Sequence, residues 1–229
     1  MTNRDATARL AGLLYLGSLP TAGFAYGYVE FMPHASPSAT LAWLTAHRAM
    51  LGWTVIAGAA GFVDYLLFGL LLRQLLAPTR ALLADLMLIL VVASVPLSFA
   101  ALADRLDLLA LIDSASPQGA PEATLHLRHE HNLFQVSAIF WGLWLLPLGW
   151  LLWHSRLAPR AIAALLVLGG IGYLWAFAAP TLDAHYAESL LARSARALFT
   201  VPDLIGELGF GLWILIRGAR GMTSSEGKA

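Results

Sequence analysis

Residues 121–156 read PEATLHLRHEHNLFQVSAIFWGLWLLPLGWLLWHSR, and the fold turns on how this stretch is read. Its first part is densely polar, with Glu122, His126, Arg128, His129, Glu130, His131, Asn132 and Gln135. From Val136 to Trp153 no charge interrupts an apolar run that holds four tryptophans. A hydrocarbon core of about 30 Å takes roughly 20 apolar residues in a helix. The stretch therefore predicts a membrane span with a polar head at the bilayer surface.

Outward from it, the rest of the chain is built alike. Of 229 residues, 59% are hydrophobic and 12% charged, about half the ~25% charge of a soluble domain. Fourteen basic and fourteen acidic residues cancel, which argues against a nucleic-acid partner. With no cysteine, disulfides, thiol nucleophiles and cysteine-ligated metal centres are excluded. Arg4 and Arg9 ahead of an apolar run resemble a signal peptide. That run is longer than the usual h-region of about 7–15 residues and further spans follow, so it reads as a retained first helix.

The expected fold is all-α: a polytopic bundle of six transmembrane helices forming a single domain over residues 1–221. The spans are 10–29, 49–72, 81–103, 133–153, 161–181 and 201–216, followed by a disordered cytoplasmic tail at 222–229. Pro20, Pro96 and Pro147 fall inside spans, where neighbouring helices can satisfy the freed backbone. Short interfacial helices are expected in the outer loops, around Leu41, Trp43 and Leu44 and over Asp183–Phe199. The latter carries Leu191, Ala195 and Leu198 on one side and Arg193 and Arg196 on the other. Asp104–Ala120, acidic and then rich in Ser, Pro and Gly, reads as an exposed loop.

Basic residues set the orientation. With both termini inside, Arg4, Arg9, Arg73, Arg80, Arg156, Arg160, Arg217, Arg220 and Lys228 are cytoplasmic, nine against five outside. The same orientation leaves six of the seven histidines outside. The expected location is a bacterial cytoplasmic (inner) membrane, with lipids as partners and the oligomeric state open.

Chemistry then concentrates at a few positions. On a helix starting near Pro121, Glu122, His126, His129 and Glu130 share one stripe, with His131 and Gln135 turned away. Two imidazoles and two carboxylates on one face are a partial shell for Zn²⁺, the one candidate ion in a chain otherwise expected to carry no cofactor. The same stripe also reads as a solvated helix end with i,i+4 His–Glu pairs and Glu122 against the helix dipole. Glu207 lies inside the sixth span, where a carboxylate costs on the order of 2.5–3.5 kcal/mol and normally faces the bundle interior. Arg48 is the partner expected from depth, His131 the alternative. Asp203, three residues after Thr200, reads as part of a capping box at the start of that span. Asp64, among the small residues Ala57, Ala60 and Gly61, is expected to point inward, as a structural contact or a proton relay. Asp85 is expected to pair with Arg80. Gly12-x-x-Tyr15-Leu16 is echoed by Gly170-x-x-Tyr173-Leu174, and nothing is built on that echo.

Several stretches together resemble a bacterial multi-pass family known as domain of unknown function 4386. They are Ala8-Arg9-Leu10-Ala11-Gly12-Leu13-Leu14-Tyr15-Leu16, Asp64, the run from Gly142 through Pro159-Arg160, Gly169-Gly170-Ile171-Gly172-Tyr173-Leu174, and Pro202-x-x-Ile205-Gly206-Glu207 with Gly211 and Trp213. The resemblance implies the span topology and a special status for Asp64, His131 and Glu207, and it supplies no reaction.

The function expected is binding of a small or lipid-like molecule in an outward-facing polar pocket, in a sensor, accessory or immunity-type role. His126, His129, Glu130 and His131 would line its mouth, Arg48 and Glu207 its floor. An enzyme is the less favoured class, as a metal-assisted hydrolase at the outer leaflet; a proton-coupled transporter is the third.

Overall fold

The computed structural model describes residues 3–30, 36–114, 116, 118–183 and 185–220; the tail expected at 222–229 lies outside them. Among the described residues there are seven α-helices and no strand. They are α1 (Asn3–Glu30), α2 (Pro37–Ala46), α3 (Arg48–Leu76), α4 (Ala81–Ser114), α5 (Gly119–Ser155), α6 (Arg160–Leu182) and α7 (Leu190–Arg217). A single 3₁₀ turn, Tyr186–Glu188, leads into α7.

Five segments are long and apolar enough to cross a membrane: α3, α4, α5, α6 and residues 198–217 of α7. Their outer faces are greasy. Leu82 is 72% exposed, Ile89 62% and Trp53 60%, surface that water would penalise and lipid would not. α1 is long enough but diluted by Gly, Ser, Thr, Pro and Tyr.

Three expectations are corrected here. First, most of Asp104–Ala120 is helix, not loop: α4 runs on to Ser114 and α5 begins at Gly119. Its Leu108 is fully buried against Leu44, Leu51 and Ala123, so packing of an amphipathic stripe overrides the polar composition. Second, the amphipathic segment before the last span is not a separate helix. α7 starts at Leu190, with the Ser189 side chain accepting from the Ala192 N–H, and runs through Pro202 to Arg217. Thr200 and Asp203 are therefore mid-helix, and the capping role expected of Asp203 falls away. Third, Asp85 pairs with Arg73 (Nε to Oδ1, 2.7 Å), one helix back, while Arg80 lies over the Trp150 ring.

Packing sorts the chain, expected as one domain, into two compact units. One comprises residues 1–16, 65–94 and 138–229; the other residues 17–64 and 95–137. In the first, Tyr15 stacks on Phe68 at 4.2 Å, with Trp144 and Phe210 edge-on. α5 meets α6 at Gly142, where an added Cβ would lie 2.7 Å from the Gly170 carbonyl oxygen. The start of α1 is clasped to the end of α7. Arg9 Nη2 donates to the Ile216 carbonyl (3.1 Å), and Asp5 Oδ1 accepts from the Ala219 N–H (3.0 Å).

In the second unit, α2 folds its Leu44 against α3, α4 and α5, in the region where an interfacial helix was expected. The ion pair Arg105–Glu130 is buried between α4 and α5, its side chains 0% and 3% exposed.

Candidate functional site

The first unit gathers polar groups that are far apart in sequence. Asp203 and Glu207, one turn apart on α7, share a face. The Tyr15 hydroxyl of α1 lies near Glu207, and the Tyr173 hydroxyl of α6 lies near the Asp203 carboxylate. Tyr65 of α3 lies close enough to act electrostatically on both tyrosines. The polar groups acting on the two carboxylates are thus tyrosines and each other.

Next to this cluster, a cavity of about 410 Å³ opens between α6, the 3₁₀ turn and α7. Its walls are aromatic and small: Tyr173, Trp175, Tyr186 and Phe199, with Gly169, Gly172 and Ala195. Asp203 is its acidic member, and the buried Oδ1 of that carboxylate has no hydrogen-bond partner. Glycine is required at 169, because any Cβ there would collide with Asp203 Oδ1. At 172 it admits Phe199 in the same way. Trp175 is held by an indole N–H bond to the Tyr186 hydroxyl (2.7 Å).

The second unit holds a different constellation. Asp104, 6% exposed on α4, receives two histidines from α5. His126 Nδ1 and His129 Nδ1 each lie 3.1 Å from Asp104 Oδ1. Asp107, one turn further along α4, brings Oδ2 to 4.0 Å from His126 Nδ1. Candidate ligand atoms of Asp104, Asp107 and His126 all fall within 4.8 Å of one another.

The residues singled out in the sequence are thereby redistributed. Arg48 gives Nε and Nη2 to the two oxygens of Asp113 (2.6 and 2.5 Å), so the cation expected to face Glu207 is committed within its own unit. Glu130 is committed to Arg105, which removes it from the stripe of metal ligands. His131 is exposed and turned to Gln135 (3.3 Å). Glu122 stays in the first turn of α5, half-buried. Asp64 packs toward Gly17, an added Cβ there lying 3.4 Å from its Oδ2. His126, His129, Glu130 and His131 do not line the cavity between α6 and α7.

Sequence reasoning missed Tyr15, Tyr173, Asp104 and Asp107. The tyrosines had a signal, since both sit in the echoed Gly-x-x-Tyr-Leu motif. The aspartates were hidden by the misread loop.

A multi-pass helical bundle of membrane type, with half-buried carboxylates set among tyrosines, is the class that these features define. The family model for domain of unknown function DUF4386 matches residues 10–218, and the chain belongs to that family. No curated protein and no solved structure matches it.

Proposed function

We propose that this is a six-span protein of a bacterial cytoplasmic membrane, with both termini inside, that binds a small amphiphilic cation in the cavity between α6 and α7. The observation that carries the ligand is Asp203, the acidic member of an aromatic-walled space. An amine or quaternary ammonium on an apolar body complements such a carboxylate by charge. The rings of Tyr173, Trp175, Tyr186 and Phe199 offer cation–π faces to the head and apolar surface to the body. About 410 Å³ is within the usual range for small-molecule sites. The role is that of a sensor, accessory or immunity-type binder rather than an enzyme.

The clasp between α1 and α7 supports the sixth span. Five crossings would leave the two ends of the bundle on opposite faces, whereas contact between them requires an even number. α1, with 28 residues, reaches about 42 Å at 1.5 Å per residue, enough to cross. The basic-residue bias supports a cytoplasmic location for both ends.

The test is calorimetric titration of the protein in lipid nanodiscs with tetrapropylammonium, and with an uncharged alcohol of like size. Saturable binding of the cation is expected, weaker binding of the alcohol, and a loss of about tenfold or more in Asp203→Asn, from the ~1.5–3 kcal/mol of a charged contact. Equal cation affinity in Asp203→Asn would overturn the reading.

A further inference from the structure

The cluster around Asp104 has the chemistry and spacing of a metal centre. Its four members come from two helices in register, Asp104 and Asp107 from α4, His126 and His129 from α5, each pair three residues apart and so on one face. Zinc bonds of about 2.0–2.2 Å to nitrogen and oxygen set tetrahedral ligands about 3.3–3.6 Å apart. The separations here bracket that value. They are 3.1 Å from Asp104 Oδ1 to either imidazole, 3.0 Å from Asp104 Oδ2 to His129 Nδ1, and 4.0 Å from Asp107 Oδ2 to His126 Nδ1. Within Asp104, Asp107 and His126 the ligand atoms all lie within 4.8 Å of one another, and His129 joins through Asp104.

A second observation points the same way. Asp104 is more than nine-tenths buried, yet its Oδ2 makes no hydrogen bond of proper geometry, although His129 Nδ1 lies 3.0 Å away. His126 meets Oδ1, and His129 lies between the two oxygens. Arg105, the next residue on α4, is bound by Glu130. Two carboxylates and two imidazoles make a mixed donor set suited to a divalent ion. Imidazole favours Zn²⁺ over Mg²⁺ or Ca²⁺. Asp107 and His129 are 65% and 64% exposed, so a coordination position stays open to water.

We propose that Asp104, Asp107 and His126, joined by His129, form a Zn²⁺ site. It rests on the second unit alone and is independent of the cation cavity.

The test uses the full chain, purified in detergent, stripped with chelator and titrated with Zn²⁺. Metal content is then measured after dialysis, and Co²⁺ serves as a spectroscopic probe of geometry. One ion per chain is expected, with the intense visible absorption of tetrahedral Co²⁺. Asp107→Asn alters an exposed side chain, so the fold is not at stake, and it weakens Zn²⁺ binding by about tenfold or more. His126→Ala weakens it at least as much, and His131→Ala leaves it unchanged. Absence of stoichiometric zinc overturns the proposal. So does wild-type affinity in Asp107→Asn and His126→Ala, which would leave the cluster a hydrogen-bonded clamp between α4 and α5.

Discussion

Replacing Glu130 by Gln tests how the α4–α5 interface is held. The substitution keeps shape and removes one charge from a pair whose side chains are 0% and 3% exposed. Arg105 Nε and Nη2 both converge on Oε1, at 2.8 and 2.5 Å, leaving Arg105 Nη1 and Glu130 Oε2 buried without partners. A pair so incompletely satisfied returns little of its desolvation cost, yet losing one member strands the other charge. Stranding a buried charge costs about 3–5 kcal/mol, roughly a 10²- to 10⁴-fold loss in the folded-to-unfolded ratio, and a melting temperature lower by on the order of 10 °C. Replacing both, Arg105→Met with Glu130→Met, removes the charges together and is expected to stay within about 1 kcal/mol of the parent or exceed it. Thermal unfolding in detergent, followed by circular dichroism, separates the two cases. If the double variant melts as low as Glu130→Gln, mutual neutralisation is not what the residues supply, and the reasoning fails. Zinc affinity retained in the double variant would also separate Glu130 from the metal ligands.

Two further outcomes are expected. Gly142→Ala inserts a methyl 2.7 Å from the Gly170 carbonyl and 2.9 Å from Tyr173 Cβ, and should cost about 1–3 kcal/mol in thermal unfolding; Gly52→Ala, which meets nothing within 4 Å, should be neutral or gain up to about 1 kcal/mol. Arg48→Ala severs an exposed pair with Asp113 and should leave both the melting temperature and tetrapropylammonium affinity unchanged; a fall in affinity would restore Arg48 as the partner of Glu207.

The apolar runs were legible in the sequence because a bilayer imposes one long, simple pattern. Helix ends were not, because they are set by tertiary packing. Asp104, Arg105, Leu108, Leu109 and Ile112 keep a helical period, but their charges read as solvent exposure until α5 supplies Glu130 and two histidines. Asp203 met a local rule, the capping box, and a local rule seemed enough. Ser189 is the true cap, eleven residues earlier than Thr200. Glu207 was legible as a costly residue, and its neighbours were not. The partner expected was a cation of opposite charge, whereas the bundle supplies tyrosine hydroxyls, whose positions depend on how α1 and α6 pack around α7. Asp113 as the partner of Arg48 was hidden in the same way, since it sits in the stretch read as a loop.

The clasp between α1 and α7 has a consequence for assembly. Arg9 and Ile216 are 207 residues apart, and a ribosome adding about 5–20 residues per second needs roughly ten to forty seconds to deliver the second after the first. Throughout that interval α1 stands without the helix that finally covers Gly12 and receives the Arg9 guanidinium. The clasp is therefore a late contact, made only once α7 has been delivered.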